Sequence, residues 1–146
     1  MNIAICDDCK EDAIRTRKII HTVIDKYYPD TEIIWYSSAE EIENKMIKLK
    51  ESLDILVLDI DMPEMSGLEL AENLRKSNLD LIIIFLSNHD EFVFKAIEFQ
   101  PFRYIRKIKL ESEMPVAIES AVKILDMKRD KQVFIETENG AIKIMM

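Results

Sequence analysis

A chain of 146 residues, 48% hydrophobic and 33% charged, has the size of one domain, and such a domain buries roughly two-thirds of its unfolded surface. Two cysteines exclude a disulfide framework, no apolar run approaches the about 20 residues of a membrane span, and a net charge of −8 argues against nucleic-acid binding by these residues alone. Met1–Asp8 has no basic flank and reaches Asp7 and Asp8 at once, so no signal peptide is expected and the expected compartment is the cytoplasm.

Two apolar periods then alternate along the chain. Ile3–Cys6 reads as a short strand, and Cys9–Tyr28 as a helix with Ala13, Thr16, Ile20, Val23 or Ile24, and Tyr27 on one face. Pro29-Asp30 closes it, and Glu32–Tyr36 reads as the second strand. Ser37 and Ser38 each precede a glutamate by three residues, a capping-box start for a helix to about Lys50. Ile55–Leu58 is the third strand, followed by a loop with Pro63 and Gly67 and a helix through Leu68, Ala71 and Leu74. Leu81–Leu86 is the fourth strand. Phe92, Ala96 and Phe99 mark the next helix, closed by Pro101, and Phe102–Arg106 is the fifth strand. Met114, Ile118, Val122 and Leu125 mark a last helix, with Pro115 expected in its first turn. The third and fourth strands are continuously apolar, as strands covered on both faces are. Five strands alternating with five helices predict a parallel α/β sheet.

Beyond the charged stretch Asp126–Lys131, Gln132–Glu138 and Ala141–Met146 flank Asn139-Gly140, a strong hairpin signal. An isolated hairpin is marginal in water, so the expected organisation is one domain over residues 1–126 and the opening of a second over 127–146.

In a parallel sheet the C-terminal ends of the strands share one rim, where open α/β sheets bind ligands. Asp7 and Asp8 follow the first strand, Asp59 the third, Ser87 the fourth and Lys107 the fifth. Three close carboxylates repel unless protonated, separated or neutralised by a cation. An all-oxygen donor set with room for water favours Mg²⁺ over Ca²⁺. One carboxylate can then attack a phosphoryl group, with the metal and a lysine neutralising its oxygens and a hydroxyl bonding one of them. Asp59, on a central strand between Asp7-Asp8 and Ser87, is the expected nucleophile.

The run of Asp7-Asp8, Leu58–Leu70, Ser87 and Tyr104–Lys107 resembles the receiver domain of two-component response regulators, over residues 1–126. The resemblance implies a flavodoxin-like, doubly wound five-stranded parallel sheet of order 2-1-3-4-5 with five helices. It implies that Asp59 accepts a phosphoryl group from a sensor histidine kinase, and that Asp7, Asp8, Asp59 and the backbone carbonyl of Asp61 hold Mg²⁺. Ser87 and Lys107 would contact the phosphoryl group, Tyr104 would act with Ser87 as the switch, and Asp61 and His89 would tune rates. Homodimerisation through the fourth helix, fifth strand and fifth helix is implied as well. The stretch Phe85–Ala96 with Gln100–Tyr104 resembles the LytTR branch, whose output domain binds DNA; residues 127–146 would be the linker and first hairpin of such a domain, with DNA contacted only by its remainder. Three positions depart from the family pattern: Ile108 stands where a proline usually follows the lysine, Asn88 stands where a small residue is usual, and Asp61 and His89 fill variable positions.

Other readings of the same residues differ in class. Cys6-Asp7-Asp8-Cys9 is formally a C-x-x-C, but two carboxylates raise thiol pKa values and no second pair exists for zinc, so Cys6 is expected as a buried small hydrophobe. Leu56–Asp61 also resembles the D-x-D motif of haloacid-dehalogenase-like phosphatases, with Asp59 and Asp61 in the two roles. A pseudo-receiver that never takes phosphate is the third reading. Phe92 and Phe94 point about 200° apart on a helix, so one of them is expected to face solvent and serve a partner.

Overall fold

The first strand from Ile3 onward, and the third and fourth strands throughout, are buried, because helices cover the sheet from both sides. The computed structural model describes residues 1–48, 51–62, 65–77 and 80–138. In chain order the elements are β1 (Asn2–Cys6), α1 (Lys10–Ile24), β2 (Glu32–Tyr36), α2 (Ala39–Glu43), β3 (Ile55–Asp59), α3 (Gly67–Lys76), β4 (Ile82–Ser87), α4 (Val93–Ile97), β5 (Arg103–Arg106) and α5 (Leu110–Glu138). A π-helical turn, Asn44–Lys48, extends α2, and a 3₁₀ turn, Lys107–Lys109, leads into α5.

All four strand pairings are parallel, and the order is β2-β1-β3-β4-β5, the doubly wound arrangement expected. Alternation along the strands divides the core in two. Ile3, Ile5, Ile55, Val57, Ile82 and Ile84 face α1 and α5, meeting Ile20, Ile24, Met114 and Ile118. Ala4, Cys6, Leu56, Leu58, Ile83 and Phe85 face the other way, meeting Ile42 of α2, Leu70 and Leu74 of α3, and Ala96 of α4.

Several boundaries differ from expectation, each for a local reason. Helix α1 stops at Ile24, so Tyr27 lies beyond it, 44% exposed, with its hydroxyl on Glu119. Ser38 caps α2 by accepting the N–H of Glu41, as the capping box requires. Helix α4 is only five residues long. After it the backbone bonds shorten to i→i−3, Gln100 takes a positive φ of 54°, and Pro101 follows. Pro115 falls in the sixth position of α5 rather than its first turn, so it offers no N–H to the carbonyl of Glu111, an exposed residue. Phe92 and Phe99 pack on the core while Phe94 is 86% exposed.

The strand expected over Gln132–Glu138 is not found: the backbone is helical to Glu138. Extending an existing helix through Asp126–Lys131 adds one hydrogen bond per residue, whereas an isolated hairpin has no sheet to join. The Asn139-Gly140 turn, the arm Ala141–Met146 and Pro63 lie outside the described residues. No helix among the described residues is long and apolar enough to cross a membrane.

Candidate functional site

The rim at the C-terminal ends of the strands carries the charge. Asp7, one residue past β1, is fully buried; its Oδ1 accepts the N–H of Cys9 at 2.9 Å and so shapes the turn into α1. Its carbonyl accepts the indole N–H of Trp35 at 2.7 Å. Neither Asp7 nor Asp8 is the N-cap of α1; Cys9 holds that place without a side-chain bond. Asp8 is exposed at the mouth, and Asp59 closes β3 with 1% exposure. Asp7, Asp8 and Asp59 each offer a carboxylate oxygen within 4.8 Å of the others. Asp7 Oδ2 is buried and accepts no hydrogen bond, although the Lys107 ammonium stands 3.1 Å away. Hard oxygen donors, crowded and partly unsatisfied, fit a divalent cation of the Mg²⁺ class.

Burial, and then the charge of Asp7, push the Asp59 carboxyl up from 3.8 to about 7; Lys107 and the N–H of Asp61, which donates to Asp59 Oδ1 at 3.0 Å, act in the opposite sense. Lys107, the first residue of the 3₁₀ turn after β5, is buried as well. Its Nζ lies 2.8 Å from Asp12 Oδ2, 3.1 Å from Asp7 Oδ2 and 3.4 Å from Asp59 Oδ2. Burial disfavours its charge, but the Asp12 hydrogen bond and the fields of Asp59 and Asp7 prevail and hold the ammonium above its usual range.

Ser87, Tyr104 and His89 form a second group that touches the carboxylates only through Asp61. Ser87 Oγ accepts the N–H of His89 at 2.9 Å and lies within donating reach of the His89 carbonyl, 3.0 Å, and of Asp61 Oδ2, 3.4 Å. The N–H of Asn88 donates to the same Asp61 oxygen at 3.3 Å, so the Asp61 carboxylate ties the loop after β3 to the loop after β4. Tyr104 donates its hydroxyl proton to the His89 carbonyl at 2.6 Å, its ring 6.5 Å from that of Phe85. The His89 ring is exposed and meets the edge of Phe92. Ile108 is exposed beyond Lys107, and no peptide bond among the described residues is cis.

Three residues that shape the rim escape a reading of strand ends. Asp12 reaches the rim from the first turn of α1, where its Oδ2 accepts from the Lys107 ammonium at 2.8 Å. Arg15, one turn on, donates to the Lys107 carbonyl at 2.9 Å and pairs with Glu111. Gly67 opens α3 directly against β3: a Cβ there would stand 2.3 Å from the carbonyl oxygen of Asp59. No strand-end pattern in the sequence points to any of these. Cys6 is buried, its thiol raised far above the ordinary range by burial and by Asp7 and Asp59, which fits the structural role expected of it.

Comparison with known proteins bears on this arrangement. The profile of the response regulator receiver domain matches residues 3–119. The transcriptional regulatory protein NatR of Bacillus subtilis is 27% identical over 107 residues, which is 73% of this chain and 43% of that protein. The sensory transduction protein LytR of Staphylococcus epidermidis is 37% identical over 94 residues, 64% of this chain and 36% of that protein. The chain thus spans less than half the length of these curated relatives. Among solved structures, the response regulatory domain of protein mrkE from Klebsiella pneumoniae has the same fold, with a TM-score of 0.76 at 21% identity over 87% of this chain and 99% of that one. A response regulator receiver domain protein from Clostridium thermocellum gives a TM-score of 0.71 at 20% identity, over 86% and 97%. Because the match runs through every strand whose end supplies a rim residue, the chain belongs to the family of response regulator receiver domains.

Proposed function

We propose that this chain is a Mg²⁺-dependent phosphoacceptor switch in which Asp59 takes a phosphoryl group from a phosphohistidine of a sensor histidine kinase. The observation that carries this reading is the placement of Asp59: buried at the end of a central strand, beside two further carboxylates and within 3.4 Å of a buried lysine ammonium. In the transfer an oxygen of Asp59 forms the new bond to phosphorus, the phosphorus–nitrogen bond breaks, and the imidazole leaves as a base that takes up a proton. Asp7, Asp8, Asp59 and the carbonyl of Asp61 would hold Mg²⁺, which when bound supplies charge neutralisation at the phosphoryl oxygens.

The chain's own residues do the rest. Lys107 holds positive charge beside Asp59 and would pair with a phosphoryl oxygen. Ser87 would exchange its bonds to His89 and Asp61 for one to the phosphoryl group. That exchange releases the His89 carbonyl, the acceptor of the Tyr104 hydroxyl, so Ser87 and Tyr104 form one switch. Phosphorylation adds about −1.5 to −2 of charge, and it biases the switch only by what it gains in one state over the other. Asp61 and His89 would tune the lifetime of the phosphorylated state, Asp61 through its hold on Asn88 and Ser87.

The output is homodimerisation through α4, β5 and α5, where Phe94, Ile97 and Val116 are exposed. Similarity to LytR supports a regulator of the LytTR branch, in the cytoplasm, with a receiver over residues 1–126 and a DNA-binding output beyond it. The test is intact mass after incubation with acetyl phosphate, with and without Mg²⁺, beside Asp59→Asn. A Mg²⁺-dependent gain of one phosphoryl group, lost in the variant, is expected; a gain that persists in Asp59→Asn overturns the assignment, and no gain from donor or kinase makes the chain a pseudo-receiver.

A further inference from the structure

Lys107 is the only buried lysine among the described residues, and α1 grips it at both ends. Its ammonium is nearer to Asp12, at 2.8 Å, than to Asp7 at 3.1 Å or Asp59 at 3.4 Å. Its backbone carbonyl accepts the 2.9 Å hydrogen bond from Arg15 Nη2. Arg15 is itself braced, because its guanidinium forks onto both carboxylate oxygens of Glu111 at the start of α5. Asp12 and Arg15 stand three residues apart and so share one face of α1. Asp12 is not among the carboxylates close enough to share a metal ion.

An ammonium has three protons to donate, and this one faces three carboxylates. Asp7 and Asp59 belong to the metal pocket, and Asp12 does not. Each proton that Asp12 holds is one that does not neutralise the pocket. Arg15 acts on the other end, fixing the backbone from which the lysine side chain extends.

We propose that Asp12 and Arg15 are positioning residues for Lys107: Arg15, braced by Glu111, fixes its backbone, while Asp12 holds its ammonium back from Asp7 and Asp59 and thereby raises the affinity of that pair for a divalent cation. The proposal rests on the phosphoacceptor reading. It differs from a purely structural role because Asp12 must act through Lys107.

The protein carries its own reporter. Trp35 is the only tryptophan of the chain, and its indole N–H is bonded to the Asp7 carbonyl. Mg²⁺ is titrated into the full chain and followed by Trp35 fluorescence, in a double-mutant cycle of Asp12→Asn and Lys107→Gln. Asp12→Asn is expected to weaken Mg²⁺ binding roughly three- to tenfold when Lys107 is present, and less than about twofold beside Lys107→Gln. An equal loss in both backgrounds means that Asp12 acts by its charge alone and overturns the proposal.

A second measurement needs no Lys107 variant and no metal, so it stays decisive if Lys107→Gln does not fold. The ¹⁵N resonance of the Lys107 ammonium should move in Asp12→Asn, whose side chain is 28% exposed in the parent and leaves room for the amide. An unmoved resonance overturns the clamp. A wild-type chain indifferent to Mg²⁺ overturns the phosphoacceptor reading, and the tuning with it; that failure is recognised because the resonance still moves.

Discussion

Asp59 illustrates how much a single side chain depends on what its neighbours leave free. Gly67 approaches its carbonyl so closely that a methyl group would collide with backbone, and backbone has no rotamer with which to yield. Gly67→Ala should therefore cost about 1–3 kcal/mol of stability and shift the end of β3, slowing phosphorylation of Asp59 as well; urea unfolding and intact mass read the two effects. A variant as stable and as reactive as the parent would show that α3 slides freely. The same burial gives Asp59 a pH signature. With its carboxyl raised to about 7, the folded chain keeps a proton that the unfolded chain releases near 4. Stability contributed by that proton is present below about pH 4 and is lost as pH rises to about 7, each pKa unit corresponding to about 1.4 kcal/mol. Without metal, Asp59→Asn should thus gain on the parent in urea midpoint from pH 4 to pH 8, whereas a constant gap would mean that Asp59 titrates as an ordinary carboxylate. Asp7, Asp8, Asp59, Ser87 and Lys107 were legible because each follows a strand and parallel strands end together. Asp12 and Gly67 were not, because their roles depend on how near α1 and α3 come to the rim, a distance that no residue type encodes.

The elements divide along a similar line. The strands were legible to within a residue or two, since a buried strand leaves an uninterrupted apolar run such as Ile55–Leu58. Helix ends were less so. The turn just past α4 is held by Arg75 on α3, whose guanidinium donates to the carbonyls of Phe99, Gln100 and Leu81 and so fastens the segment that carries Gln100 at positive φ. Nothing local to Phe92–Pro101 announces a cation arriving from another helix. Arg75→Ala removes these charge-assisted donors, and the turn before β5 is then expected to loosen, at about 2–3 kcal/mol, with faster hydrogen exchange at Phe99–Phe102. Unchanged exchange there would mean that Pro101 alone holds the turn. At the other end of the chain, the Asn139-Gly140 hairpin signal suggested a strand over Gln132–Glu138, and the continuing helix prevailed because α5 already supplied the nucleus.

At the scale of the whole molecule, the two core layers leave one question that packing inside the monomer does not answer: why α4 turns a phenylalanine outward. Phe92 and Phe99 occupy the inward side of that segment, so Phe94 has no core to enter, and 86% of it stands exposed. Ile97 on the same helix and Val116 on α5 are each 59% exposed, with Tyr104 of β5 between these helices in the chain. An aromatic ring carries a large part of the apolar surface that an interface can bury, at roughly 25 cal/mol for each Å² removed from water. Tyr104 connects this surface to the rim that carries Asp59, because the carbonyl its hydroxyl bonds belongs to the loop held by Ser87. A phosphoryl group that draws Ser87 away would change what Tyr104 can bond, and with it the shape of the face on which Phe94 stands. Phe94→Ser should leave the monomer folded, with an unaltered far-UV spectrum, and leave phosphorylation of Asp59 intact, while weakening self-association of the phosphorylated chain about tenfold or more. Sedimentation of the phosphorylated parent and variant over a concentration series is the measurement. If the two associate equally, the exposed ring serves no copy of this chain, and the link from Asp59 through Tyr104 to dimerisation must run through another surface.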